Sequence, residues 1–153
     1  MRVGNSYDLH NLKAGTGFLL GGIFIPCQYQ VEAVSDGDIL LHTISEAIIG
    51  ALGFGDLGDW FDETNKNINS QVILEQALTL MVNQNYQIVN IDTTIIVDEP
   101  KLKAYKTAIK MNLKHLLQLE DKNINIKATT TEKNFSNIIQ SYTTLLLVKS
   151  ENR

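Results

Sequence analysis

The chain alternates between short runs of period-two apolar residues and longer stretches with a helical stripe. Residues 1–9 form a first apolar run that reads as a strand. GFLLGGIFIP (Gly17–Pro26) reads as a strand, a Gly21–Gly22 turn and a short second strand. Residues 28–34 have no regular pattern. SDGD (Ser35–Asp38) then opens a helix over ILLHTISEAIIGAL, with Ser35 and Asp36 as natural N-caps and Gly53 and Gly55 as the stop. A Gly- and Asp-rich loop covers Gly53–Asn65. Asn69–Asn85 is a second amphipathic helix, with Ile73, Leu74, Ala77, Leu80 and Met81 on one stripe. Tyr86–Pro100 is the clearest strand, because its residues are densely β-branched. A basic-faced helix over residues 101–119, a strand over 123–135 that runs into a turn, and a last strand over 141–149 complete the chain. The order β-β-α-α-β-α-β-β predicts an α+β fold. One mixed β-sheet is covered on one face by three helices, in a single domain over residues 1–153.

Composition narrows the function classes. The 153 residues are 44% hydrophobic and 20% charged, ordinary for one globular domain. The net charge of -4 argues against a nucleic-acid partner, which leaves a basic footprint. No apolar run approaches the roughly 18 residues of a membrane span, and the N-terminus lacks the apolar core of a secretory signal. A single cysteine, Cys27, precludes an intrachain disulfide and fits a reducing compartment, so a cytoplasmic location with no membrane partner is expected. Arginine occurs only at Arg2 and Arg153. A phosphate site would therefore depend on metals, lysines or backbone N–H groups.

Three polar clusters could carry chemistry. In YDLH (Tyr7–His10), Asp8 and His10 are two apart on a strand and point to the same face. With His42 they would make two imidazoles and a carboxylate, the donor set of a zinc site that keeps its fourth position open. The plainer alternative is a capped surface strand and an ordinary helix histidine. Asp38 and Glu46, at i−4 and i+4 from His42, are candidate acceptors for its second ring nitrogen. His115 has no such company and reads as a structural or surface residue. In KATTTEK (Lys127–Lys133), hydroxyls and backbone N–H groups could meet a phosphate. Glu132 could hold a hard cation there, or the segment could be a solvated Thr-rich turn. FGDLGD (Phe54–Asp59) could place a carboxylate against sugar hydroxyls, or be only a turn.

Taken together, Asp8-x-His10, SDGD followed by His42, GDLG, the strand ending TTII with EPK beyond it, and KATTTEK occur in an order and spacing that resemble the 2-C-methyl-D-erythritol 2,4-cyclodiphosphate synthase family. The resemblance runs from Met1 to about Lys133. It implies a homotrimer with active sites between subunits, and zinc on Asp8, His10 and His42. Asp8 and His10 would also meet the substrate, and Ser35 would contact its phosphate. Asp56, Leu57 and Gly58 would touch substrate where subunits join, with Phe61 and Glu63 beyond them. Val97–Lys103, including Pro100, Lys101 and Leu102, would take the cytosine. Thr129, Thr130 and Thr131 would line the diphosphate, with Thr130 stabilising the transition state and Phe135 nearby. Glu132 would ligate Mg²⁺ or Mn²⁺. The implied reaction is cyclisation of 4-diphosphocytidyl-2-C-methyl-D-erythritol 2-phosphate with release of CMP.

The chain departs from that family in three places. A histidine that precedes Ser-Asp-Gly-Asp in the family is Val34 here, and valine donates no hydrogen bond. The family's Phe-Pro-Asp-Thr-Asp loop reads FDETN, Phe61–Asn65, so an acid survives only as Glu63 or a shifted Asp62. The Gly- and Arg-rich segment that follows KATTTEK is replaced by NFSNIIQS, which leaves Ile138 and Ile139 as candidates to close the subunit ring. These departures keep open a relative that binds metal and cytidine nucleotide without converting it, or a trimer in which zinc only staples the fold.

Overall fold

The computed structural model describes residues 1–61 and 68–151. Its strands are β1 (Arg2–Ala14), β2 (Gly17–Leu20), β3 (Ile23–Pro26), β4 (Tyr29–Val31), β5 (Tyr86–Val97), β6 (Ile124–Thr129) and β7 (Ile138–Lys149). Its helices are α1 (Ile39–Leu52), α2 (Leu57–Trp60), α3 (Ser70–Asn83) and α4 (Lys106–Leu117). Five strands make one mixed sheet in the order β4-β1-β7-β5-β6, while β2 and β3 pair as a separate hairpin. Among the described residues only the β5–β6 pair is parallel, because α4 lies between them and carries the chain back across.

Register fixes which residues share a face. Gly4, Ser6, Asp8 and His10 of β1 lie opposite Leu145, Thr143, Ser141 and Ile139 of β7. The same row continues onto Ile91, Thr93, Ile95 and Val97 of β5. This face is buried under α1, α3 and α4, whose Ile44, Ile48, Leu74, Ile109 and Leu113 form the core with it. The other face is bare, and Val3, Tyr7, Leu9 and Tyr142 stand exposed on it.

Two features hold α1 close to β1. A Cβ on Gly4 would overlap the Ala47 carbonyl, so glycine is what lets the backbones meet. Deeper in, the Thr43 hydroxyl bonds Ser141 Oγ at 2.9 Å and Thr143 Oγ1 at 2.8 Å. Thr143 in turn bonds Thr93 Oγ1, whose hydroxyl donates to the Tyr142 carbonyl. Every buried hydroxyl in that chain has a partner, so it costs little to bury and fixes the helix against the sheet.

The observed elements adjust the sequence reading at several points. The irregular stretch 28–34 contains β4, which extends the edge of the sheet beside Leu12, Lys13 and Ala14. The Gly- and Asp-rich loop contains α2, closed by a capping box between Asp56 and Asp59. The cap of α1 is Asp38, not Ser35 or Asp36. Its fully buried carboxylate accepts from Leu41 N at 3.1 Å, and also from Gly21 N and Gly22 N at 2.9 and 2.7 Å. One side chain thus caps the helix and ties down the β2–β3 turn. Ile139 points into the core with no exposed surface, opposite His10 and Val97, so it cannot close a subunit ring; Ile138 faces the bare side. His115 is exposed on α4.

Candidate active site

Asp8 and His10 leave β1 on the covered face, and α1 brings His42 over them. One donor atom from each of the three lies within 4.8 Å of the others. Asp8 Oδ2 is 3.2 Å from His10 Nε2 and 4.0 Å from His42 Nδ1. His10 Nε2 is buried, and although Asp8 Oδ2 lies 3.2 Å away no well-aligned hydrogen bond satisfies it, a costly state for a polar atom unless something else binds it. Burial opposes charge on Asp8, but the His10 imidazole and the Leu9 N–H outweigh it and hold the carboxyl below its usual range. Burial also lowers the His42 pKa, which favours the neutral imidazole that a metal requires. Two nitrogens and a carboxylate oxygen converging on one point fit a divalent cation.

The partner of His42's second nitrogen is neither Asp38 nor Glu46. Asp38 is spent on backbone N–H groups, and Glu46 accepts from Ser6 Oγ and Leu57 N. His42 Nε2 instead meets Ser70 Oγ at 2.7 Å, and Ser70 Oγ donates to Asp36 Oδ1. Asp36 also accepts the Ser70 N–H at 2.9 Å. Ser70 opens α3, 28 residues beyond His42, so no helical spacing on α1 could have revealed it. Glu46 has a different part: at 3.1 Å it pins the Leu57 N–H and so fixes the Asp56–Gly58 turn beside Asp8 and His42.

A cavity of about 230 Å³ beside the triad is lined by His10, Val34, Ser35, His42, Gly58 and Phe61, among others. Val34 stands at its mouth, 70% exposed, and offers no donor. Ser35 is partly occupied in its own turn, where its Oγ accepts the Gly37 N–H.

Beyond the far end of β5 lies a second pocket of about 330 Å³. Val97, Pro100, Lys101, Leu102, Lys103, Lys106, Thr129 and Thr130 line it. The helix predicted from residue 101 begins only at Lys106, and the irregular turn before it forms the pocket wall. Next to it, Lys101, Thr130, Glu132 and Lys133 share a wider cleft of about 610 Å³ with Asp98 and Glu99. The three threonines differ. Thr129 ends β6, and Thr130 lines both spaces while its hydroxyl accepts the Glu132 N–H. The Thr131 hydroxyl is committed to the buried Asp98 at 2.9 Å, and the Thr131 N–H bonds the same carboxylate at 2.6 Å. Thr131 thus anchors the turn rather than pointing from it. Glu132 and Lys133 adopt left-handed backbone, with φ of 56° and 63°, a conformation such side chains seldom take. Phe135 is exposed beyond that turn, and its N–H bonds Thr131 Oγ1. Glu63 lies outside the described residues.

Residues 1–148 match the YgbB family. The chain belongs to that family. A 2-C-methyl-D-erythritol 2,4-cyclodiphosphate synthase from Fusobacterium nucleatum subsp. nucleatum is 42% identical over 158 residues, spanning 99% of each chain. A solved structure of a 2C-methyl-D-erythritol-2,4-cyclodiphosphate synthase in its CDP-bound form superimposes with a TM-score of 0.92 at 29% identity, covering 96% of this chain and 100% of the other. The CDP complex of a Plasmodium falciparum IspF gives 0.88 at 32% identity, covering 98% and 97%. Within this YgbB chain the singled-out residues fall into two groups. Asp8, His10, His42, Ser35 and the Asp56–Gly58 turn gather at one place, and Pro100–Leu102 with Thr129–Glu132 gather at another. The cavities at the first place hold none of the second group, and those at the second hold none of the first.

Proposed function

We propose that this chain cyclises 4-diphosphocytidyl-2-C-methyl-D-erythritol 2-phosphate to 2-C-methyl-D-erythritol 2,4-cyclodiphosphate and CMP, as a phosphorus–oxygen lyase of the non-mevalonate isoprenoid pathway. A 2-phosphate oxygen forms a bond to the β-phosphorus, the bond from that phosphorus to the bridging oxygen breaks, and CMP leaves with the electron pair. The observation that carries this reading is the convergence of Asp8, His10 and His42, with a buried His10 nitrogen that no well-aligned hydrogen bond satisfies. Full-length similarity to a synthase of that name supports it.

Phosphoryl transfer asks a protein mainly to position groups and neutralise charge. Asp8, His10 and His42 would hold zinc, and Glu132 would hold Mg²⁺ or Mn²⁺. Bound there, the two ions supply Lewis acidity to one phosphate and charge neutralisation to the others. The chain's own residues do the rest. Lys101 and the backbone around Pro100 and Leu102 seat the cytosine in the 330 Å³ pocket. Thr130, at the junction of that pocket and the wider cleft, donates toward the diphosphate. The Asp98–Thr131 anchor holds the turn that presents Glu132. The Asp56–Gly58 turn, tethered by Glu46, meets the substrate's sugar-like end beside Ser35.

The separation of the two groups supports a shared site, with the metal set from one subunit and the nucleotide pocket from its neighbour. The bare sheet face supports a homotrimer, because exposed Val3, Tyr7, Leu9 and Tyr142 form the kind of apolar surface that association buries. A lone cysteine fits action in the cytoplasm.

The test is phosphorus NMR of the full chain with this substrate, zinc and magnesium. Cyclic diphosphate and free CMP are expected, and Asp8→Ala or His42→Ala should abolish both. Normal turnover in those variants would sink the metal role. Val34 favours a second reading, a relative that binds cytidine nucleotide without converting it. CDP binding by calorimetry with no turnover at high protein concentration would establish that instead.

A further inference from the structure

The hydrogen bonds behind His42 have only one consistent direction. Asp36 receives two groups from Ser70: the backbone N–H at Oδ2 and the hydroxyl at Oδ1. Asp36 Oδ1 also accepts the Asp38 N–H. As an acceptor it takes the single hydroxyl proton of Ser70, which leaves Ser70 Oγ a lone pair for the histidine. The contact at 2.7 Å must then be donation from His42 Nε2–H to Ser70 Oγ. With its proton on Nε2, His42 presents a bare lone pair at Nδ1, the atom that faces Asp8. Ser70 is fully buried, so water does not offer an alternative partner.

We propose that Ser70 and Asp36 are positioning residues. They form a relay, His42 Nε2–H to Ser70 Oγ–H to Asp36, that fixes the His42 tautomer and aims Nδ1 at the metal position before any ion arrives. The relay also joins two segments far apart in sequence. Asp36 precedes α1 and Ser70 opens α3, so orientation of the metal ligand depends on how α3 docks. Outer partners of metal-bound histidines are commonly worth 10–100-fold in metal affinity. The proposal rests on the proposed metal role of His42 for its affinity arm, but the tautomer can be read without metal.

The experiment compares wild type, Ser70→Ala, Ser70→Thr and Asp36→Asn as full chains. Nitrogen-15 NMR of the metal-free protein reports the His42 tautomer, and competition with a chromophoric chelator reports zinc affinity. Thermal unfolding confirms that each variant is folded. Wild-type His42 should be a single Nε2–H tautomer. Ser70→Ala should give a mixture of tautomers and a roughly 10–100-fold loss of zinc affinity. Asp36→Asn should move both readouts the same way, and Ser70→Thr, which keeps the hydroxyl, should restore them toward wild type. A wild-type Nδ1–H tautomer overturns the relay. So does a Ser70→Ala protein that is folded, keeps the Nε2–H tautomer and loses affinity only through altered packing. If wild type binds no zinc, the metal reading fails by itself, and the tautomer comparison still decides the relay.

Discussion

At the scale of single residues, Val34 and Asp38 sit four apart and fail or succeed for opposite reasons. Val34 occupies the mouth of the cavity beside His10, Ser35 and His42 with a side chain that cannot donate. A preorganised donor aimed at developing charge is worth on the order of 10²–10³ in rate. Val34→His should therefore raise kcat by up to about 100-fold with little change in KM. Unchanged kcat in stopped-time CMP assays would show that another group already fills the role. Asp38 does the reverse: it is a charge buried on purpose. Burial pushes its carboxyl up to about 6 from 3.8, against the pull of three backbone N–H groups. A raised carboxyl pKa means that the folded chain holds the proton more tightly than the unfolded one. Asp38's contribution therefore lowers stability as pH rises from about 4 to 6, by at most about 3 kcal/mol. Asp38→Asn removes that slope. It also turns an NH₂ toward a backbone N–H at the β2–β3 turn or the α1 cap, at a cost of about 1–3 kcal/mol. Urea unfolding of both proteins across that range separates the two effects, and parallel pH profiles would show that Asp38 does not titrate there.

At the scale of elements, the geometry of Asp8, His10 and His42 depends on how closely α1 lies on β1, and Gly4 sets that distance. Gly4→Ala must push the helix or the strand aside, at about 1–3 kcal/mol, as overpacking usually costs. Because Asp8 and His10 ride on the strand and His42 on the helix, zinc affinity should fall together with the unfolding midpoint. A destabilised variant with wild-type affinity would show that the strand yields locally near Gly4. The same geometry explains what could be read in advance. Period-two placement of Asp8 and His10, the stripe of α3 and the β-branched run of β5 are local patterns, and their faces and elements followed from spacing. The Gly21–Gly22 hairpin turn was legible because a Gly-Gly pair between two apolar runs marks a tight turn, and both residues do take positive φ, at 61° and 80°. The cap of α1 was misplaced because Ser35, Asp36 and Asp38 are all competent caps, and only the β2–β3 turn, which also needs an acceptor, chooses Asp38. Ser70 and Asp98 could not be read at all. Each earns its role from a partner about 30 residues away, across a junction that no local period encodes.

At the scale of the whole molecule, the two halves of the proposed site lie in separate places on one chain. His10 and Val97 are neighbours of Ile139 on opposite sides, so β7 stands between the strand bearing Asp8 and His10 and the strand leading into the proposed nucleotide pocket. The bare face of the sheet, with Tyr7 and Tyr142 packed at 4.6 Å between ring centres and tilted by 37°, is free to meet other copies. A cyclic trimer built head to tail would set the metal half of each subunit against the nucleotide half of the next. That arrangement makes a sharp prediction. His42→Ala and Thr130→Ala trimers should each be nearly inactive when alone. When the two are unfolded together and refolded as a mixture in equal amounts, an interface works if the metal half comes from Thr130→Ala and the nucleotide half from His42→Ala. Random assembly puts that pairing at about a quarter of the interfaces, so CMP release should recover to about a quarter of the wild-type rate. If each chain carried a complete site, every site in the mixture would contain one lesion. Activity would then stay at the sum of the two crippled enzymes, and the active site would have to be sought within a single subunit.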